Sequence, residues 1–210
     1  MKFLQVAATI ALCGSLFAAS ASQAGSGLLG LDHYVPLDDS GIWARKHQMQ
    51  LFNGLLLVTG VTAVWEGGET RFGRTVWKSI DATVISGATA QVMKRMFSRS
   101  RPSQSTDPNE WFQGSGHESF PSGEVTVISA IVTPVELEYG PEHPSVYALE
   151  LLPIYDAIAR VKTHGHWQSD VLAGLALGTA GGYFMHRRTQ TPFVLNIMPH
   201  AIYVGLSKSF

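Results

Sequence analysis

Residues 160–182 read RVKTHGHWQSDVLAGLALGTAGG, and the architecture can be worked out from this stretch outward. From Ser169 on, apolar residues recur at three-to-four spacing, the period of a helix. Gly174, Gly178 and Gly182 fall every fourth residue, so one face is a smooth stripe that lets a neighbouring helix approach closely. Ahead of the helix stand Arg160, His166 and Asp170, with the carboxylate one helical turn after the imidazole. Alone, a His four residues before an Asp is an ordinary local hydrogen bond at a turn.

The same period marks helices over 46–66, 75–97, 121–138 and 145–161, besides 169–187. Gly67-Gly68, Pro102, Pro108 and the Pro141/Pro144 pair punctuate them. The expected fold is an all-α helical bundle. Between the second and third helices lies a polar loop, Ser98 to Phe120, long enough to suggest function. At the carboxyl end Ile202, Val204 and Leu206 alternate, a pattern that can pair as a short β-hairpin turning near Pro199-His200.

Composition narrows the classes. The 210 residues are 45% hydrophobic and 15% charged, which suits one globular domain over 25–210. Fifteen Lys and Arg against sixteen Asp and Glu leave a net charge of -1, without the basic excess of a nucleic-acid binder. The balance hides an asymmetry, because six of the basic residues fall between Arg71 and Arg99. The single cysteine, Cys13, excludes an intrachain disulfide framework and any Cys-rich metal site.

Lys2, an uncharged stretch from Phe3 to Ala24, and small residues suiting cleavage after Ala21 or Ala24 read as a signal peptide over 1–24. The expected location is periplasmic or secreted; an uncleaved membrane anchor is the alternative. In the remaining chain the uncharged run Gln48 to Trp65 is 18 residues and contains polar side chains, short of a membrane span. A water-soluble bundle is favoured, with peripheral membrane contact left open.

Three clusters carry chemistry. Lys94 is followed after six residues by Arg101-Pro102; Pro121-Ser122-Gly123-Glu124 comes next; Arg160, His166 and Asp170 close the series. Separately they read as a helix-end charge cluster, a turn and a local hydrogen bond. Together they suit a phosphate. Two guanidinium groups and an ammonium can neutralise a phosphoryl dianion, Arg101 and Arg160 by forked contacts and Lys94 as a point charge. Pro121 suits the first turn of a helix, so the N–H groups of Ser122 and Gly123 are expected to be free at its anion-binding end. His166 can attack phosphorus when a carboxylate, Asp170, orients its far nitrogen.

The ordered motifs Lys-x6-Arg-Pro, Pro-Ser-Gly and Arg-x5-His-x3-Asp resemble the type 2 phosphatidic acid phosphatase superfamily, which includes class A acid phosphatases and vanadium haloperoxidases. The resemblance covers roughly residues 75 to 187 and continues into Val171-Leu172-Ala173-Gly174. It implies a helical bundle with the motifs meeting at one end. It also implies metal-independent phosphohydrolysis, with no cofactor, through a phosphohistidine at His166. Matching positions make Lys94, Arg101, Ser122, Gly123 and Arg160 phosphate ligands and Asp170 the orienting carboxylate. The substrate class is a phosphorylated small molecule or a lipid phosphate.

One position departs from the pattern. The second motif ordinarily ends in His, the acid for the leaving group, and here it ends in Glu124. Near three cations a carboxyl group, with a reference pKa of about 4.3, is held charged. Glu124 therefore suits a general base, with substrates such as diphosphates whose leaving group needs no proton; an acidic-optimum phosphatase is the other hydrolase reading. Outside that class stand a phosphate-binding protein without turnover and a vanadate-dependent peroxidase. His164 and His166 form an H-x-H pair without a third ligand cluster, so no metal site is expected. His117 in the long loop is a candidate substitute acid. Trp111 and Phe112 either line a substrate pocket or pin the loop, and Trp167 reads as packing.

Overall fold

The computed structural model describes residues 27–188 and the backbone of 193–198 and 201–206; the expected signal peptide and the turn at 199–200 lie outside the described residues. The helices are α1 Arg45–Glu66, α2 Arg71–Phe97, α3 Gly123–Tyr139, α4 Leu151–Lys162 and α5 Gln168–Arg187. They form an all-α bundle. Strands β1 (Phe193–Met198) and β2 (Ala201–Leu206) follow, antiparallel, with Phe193 opposite Leu206 and Met198 opposite Ala201.

α3 is the centre. Val125, Ile128, Ala130, Ile131 and Val132 are all buried. Its apolar side meets α4 and α5 in a cluster of Val125, Ile154, Ala157, Val161, Val171 and Leu175. The glycine stripe of α5 lies against α3 as its spacing requires. A Cβ at Gly174 would stand 2.7 Å from the Ser122 carbonyl oxygen, and one at Gly182 would stand 2.6 Å from Thr133 Cβ. At Gly178 it would collide with the Thr126 carbonyl, so only glycine permits this separation.

Three helix starts differ from the sequence reading by two residues or more: α2 begins at Arg71 instead of 75, capped by Thr70, and two others begin later, each close to a proline. α3 begins at Gly123 with Ser122 as its N-cap, so Pro121 precedes the helix instead of opening it. Residues 145–150, expected as α-helix, lie in the 3-10 turn Pro144–Glu150, and the α-helix starts at Leu151. Pro153 lies in that first turn, where its missing N–H is tolerated; one turn of α-helix further upstream would drive its ring against the Leu149 carbonyl.

Several helix starts are tied down by specific bonds. Thr70 caps α2 by accepting the Gly73 amide at 2.8 Å. Asp39 accepts the Arg45 amide at 2.6 Å, serving the start of α1, whose own N-cap is alanine. The segment 32–38 runs across the start of α5. Asp32 accepts the Ser169 amide at 2.8 Å, and Gln168 exchanges bonds with the His33 backbone at 3.2 and 2.9 Å. Among the described residues no helix is long and apolar enough to cross a membrane.

Candidate active site

The three sequence clusters meet at one end of the bundle. Lys94 arrives from the last turn of α2, Arg101 from the long loop, Arg160 from the last turn of α4, and His166 from the turn before α5. The Glu118 carbonyl oxygen gathers the first two, accepting Lys94 Nζ at 2.7 Å and Arg101 Nη2 at 3.1 Å. Arg101 Nη1 donates to the Gly165 carbonyl at 3.0 Å, next to the imidazole. The Arg160 guanidinium lies over Gly165, where any Cβ would collide with it. Its Nε is buried and has no hydrogen-bond partner among the described residues.

This convergence shapes the titration of each group. Burial, then the charges of Arg160, Lys94 and Arg101, push His166 well below its ordinary pKa, so the imidazole is neutral at pH 7. Burial and the neighbouring Arg101 bring Lys94 down to about 8, and burial brings Arg160 down to about 10. Lys94, Arg101 and Arg160 lower one another's pKa or that of His166 despite the nearby carboxylates, and an anion bound among them would relieve that repulsion.

Ser122 departs from expectation in one respect. Its amide is not free but donates to the Asp170 carbonyl at 2.9 Å, because the N-cap of α3 packs against the first turn of α5. What it offers is its hydroxyl, buried without a partner among the described residues. Gly123 is the first residue of α3, so its amide is one of the helix-end donors that lack an intrahelical acceptor. The Lys94 stem passes 3.5 Å from where a Gly123 Cβ would stand.

Asp170 lies behind the imidazole. Its Oδ2 faces His166 Nδ1 at 3.7 Å, ion-pair range and longer than a hydrogen bond. The carboxylate is itself fixed by Arg99 Nη1 at 2.6 Å, Ser119 Oγ at 2.5 Å and the Trp167 amide at 2.9 Å. Arg99 is fully buried and also binds Asp32 at 2.6 Å and the Pro108 carbonyl at 2.7 Å. The Trp111 ring lies 4.3 Å from its guanidinium carbon. Sequence reasoning passed over Arg99 as a helix-end charge, and nothing local marked Asp32 or Ser119.

Glu124 sits on the open side. Burial pushes its carboxyl up, but hydrogen bonds from Arg45 and the charges of Arg160, Arg45 and Arg101 hold it below the ordinary value. Arg45 grips it with both terminal nitrogens, Nη1 reaching Oε2 at 2.6 Å and Nη2 bonding Oε1. Arg45 Nη1 also donates to Gln48 Oε1 at 3.1 Å, and the same oxygen lies 3.5 Å from Arg160 Nη1. Neither Arg45 nor Gln48 was visible from the motifs, because both come from α1, outside the three clusters. Asp156, one turn before Arg160, is fully buried with no hydrogen-bond partner among the described residues. Burial and the charge of Glu124 raise it to about 7 against the pull of Arg160 and Arg45.

The remaining candidates have other occupations. His117 pairs with Ser100 Oγ at 3.0 Å. His164 Nε2 meets the Val35 carbonyl at 2.7 Å and its Nδ1 the Tyr34 hydroxyl at 3.2 Å, which engages both nitrogens of the H-x-H partner. Trp111 pins the loop, packing edge-on to Phe97 and Phe120 at 6.0 and 5.3 Å, whereas Phe112 is 72% exposed. Trp167 is packing, its Nε1 donating to the Ser100 carbonyl at 2.8 Å.

Over 100 residues the chain is 35% identical to a lipid A 1-phosphatase of Rhizobium johnstonii, a match covering 45% of this chain and 40% of the relative. A lipid A 1-phosphatase of Porphyromonas gingivalis is 28% identical over 120 residues, 56% of this chain and 24% of the relative. The chain thus aligns with less than half the length of these curated relatives. No solved structure matches it. Residues 75–193, more than half of the chain and all three clusters, match the PAP2 superfamily, and the chain belongs to that superfamily.

Proposed function

We propose that this chain is a phosphohydrolase acting on lipid-linked phosphate esters or anhydrides, with His166 as the nucleophile. The observation that carries the reading is the convergence of Lys94, Arg101 and Arg160 on a buried, neutral imidazole. A neutral imidazole holds the lone pair that attack requires, and the cations stabilise charge gathering on the phosphoryl oxygens. In the first step the far nitrogen, Nε2, forms a bond to phosphorus as the bond to the leaving oxygen breaks. In the second, water attacks phosphorus and the N–P bond returns its electron pair to His166. Asp170, anchored by Arg99 and Ser119, steadies the imidazole as it becomes cationic. The relatives named lipid A 1-phosphatase support a phosphorylated lipid as substrate. The half-exposed outer face of α1, with Leu57, Val61 and Trp65 in the open, suits peripheral contact with a lipid surface. We place the protein in the cell envelope, exported by the signal peptide read at 1–24.

The test is phosphate release from an alkyl phosphate and an alkyl diphosphate in micelles, with His166→Ala beside the wild type. Release lost in His166→Ala, with acid-labile phosphohistidine trapped in a rapid quench of the wild type, supports the reading. Phosphate binding without release would make the chain a binding protein instead. Release that survives His166→Ala would remove His166 as the nucleophile.

A further inference from the structure

Besides Arg99 behind the imidazole, four cations stand among the described residues of this site, and a phosphoryl dianion needs only three of them. Lys94, Arg101 and Arg160 surround His166; Arg45 is the fourth, and Glu124 neutralises it through two hydrogen bonds. The arrangement has a direction. Lys94, Arg160 and His166 are buried to within a few per cent, whereas the Arg45 and Glu124 side chains are 34% and 20% exposed. Gln48 Oε1 lies between the guanidiniums, 3.1 Å from Arg45 Nη1 and 3.5 Å from Arg160 Nη1, so Arg45 is one side chain further out than Arg160. Arg45 and Glu124 thus stand on a solvent-facing flank of the cluster, next to Arg160, where a group attached to a phosphoryl at His166 can meet them.

We propose that Arg45 is the leaving-group residue of this enzyme and selects substrates whose leaving group departs as an anion, namely phosphoanhydrides over simple monoesters. This rests on the phosphohydrolase reading above. In the first step Nε2 of His166 bonds to the terminal phosphorus, and the bridging P–O bond breaks with its electron pair left on the inner phosphate. No proton is needed, which suits a site where the acid position holds a carboxylate that Arg45 and its neighbours keep charged. The departing phosphate takes the Arg45 guanidinium from Glu124, anion for anion. The released Glu124 oxygen then accepts a proton from the water that attacks phosphohistidine, the N–P bond breaks toward His166, and inorganic phosphate leaves. The pair thus serves both halves of the reaction: the cation acts on the leaving group and the carboxylate on water.

The decisive comparison uses dodecyl diphosphate and dodecyl phosphate, which share one alkyl chain and differ in the leaving group. For the purified full chain, Arg45→Gln is expected to lower kcat/KM on the diphosphate by about 100-fold, the scale for losing one donor to developing charge. On the monoester it lowers it by less than about threefold, because Arg45 does not touch the transferred phosphoryl. Arg45→Lys, which keeps the charge but loses the fork, falls between these on the diphosphate. Equal losses on both substrates, or none on either, overturn the proposal. If Arg45→Gln shows no cooperative melt, Arg45→Lys decides, and an unchanged diphosphate-to-monoester ratio in that variant rejects the idea. A wild type that releases phosphate from neither substrate overturns this and the phosphohydrolase reading together. Release that depends on His166 but is indifferent to Arg45 overturns this inference alone.

Discussion

Two arginines hold carboxylates at this end of the bundle, and they do so under opposite conditions. Arg99 sits behind the imidazole with Asp32 and Asp170, all three fully buried, and its remaining donors go to Ser169 and the Pro108 carbonyl. Arg45 sits in front, partly exposed, with Glu124 as the one carboxylate bonded to its guanidinium among the described residues. A buried ion set with its acceptors filled has nothing to exchange with and acts as scaffolding. A pair open to solvent can trade one partner for an incoming anion. The two therefore differ in what their loss should cost. Arg99→Leu strands two buried carboxylates and should lower stability by about 3–5 kcal/mol in urea unfolding. Arg45→Gln should cost no more than about 1 kcal/mol. Equal costs would erase the distinction between scaffold and exchangeable partner.

Asp156 lies between these extremes, buried like Asp170 but without its bonds. The unfolded carboxyl ionises near its ordinary value of 3.8 and the folded one at about 7, raised by burial and by Glu124. Between those two values the folded protein keeps a proton that the unfolded chain has lost. Stability therefore falls as pH rises from about 4 to about 7 and levels off above it. Asp156→Asn should flatten that fall, raising stability at pH 8 by up to about 4 kcal/mol and leaving it nearly unchanged at pH 3. The measurement is urea unfolding of both proteins across that range. An unchanged profile would mean that Arg45 or Arg160 already compensates the Asp156 charge, which would bring it into the same class as Asp170.

What could be read in the sequence follows the same division. Helix period located the bundle, and the glycines of α5 announced the close approach to α3, because periodicity and side-chain size are local properties. The three clusters were legible as parts of one site because their charges are set along two short stretches and a loop. Arg99 was not, since a guanidinium at the end of a helix looks the same whether it faces water or two buried aspartates, and Asp32 lies 67 residues away from it. Arg45 was hidden for a related reason: its partner Glu124 is 79 residues distant, and α1 carries none of the motifs. The Ser122 amide was misassigned because its acceptor, the Asp170 carbonyl, is supplied by the packing of one helix start against another. Composition and spacing report what a segment offers, and only tertiary contact decides what is already taken.

The smallest effect sharpens the comparison most directly. Salt screens exposed charges over a Debye length of about 8 Å at physiological ionic strength and reaches fully buried ones far less. Raising NaCl from about 0.05 to 0.5 M should therefore weaken the Arg45–Glu124 pair by a few tenths of a kcal/mol, as it does other partly exposed pairs. The readout is a double-mutant cycle of Arg45→Gln and Glu124→Gln, its coupling energy measured at both salt concentrations. That cycle cancels the salt response of every other charge, the Arg99 network included, and leaves only the pair. A coupling energy that falls with salt describes a pair whose members already meet solvent ions, as a pair that opens to a departing phosphate must. A coupling energy that stays constant and large would describe a second scaffold, with Arg45 as firmly committed to Glu124 as Arg99 is to Asp170, and an anion could then displace it only at the expense of the fold around it.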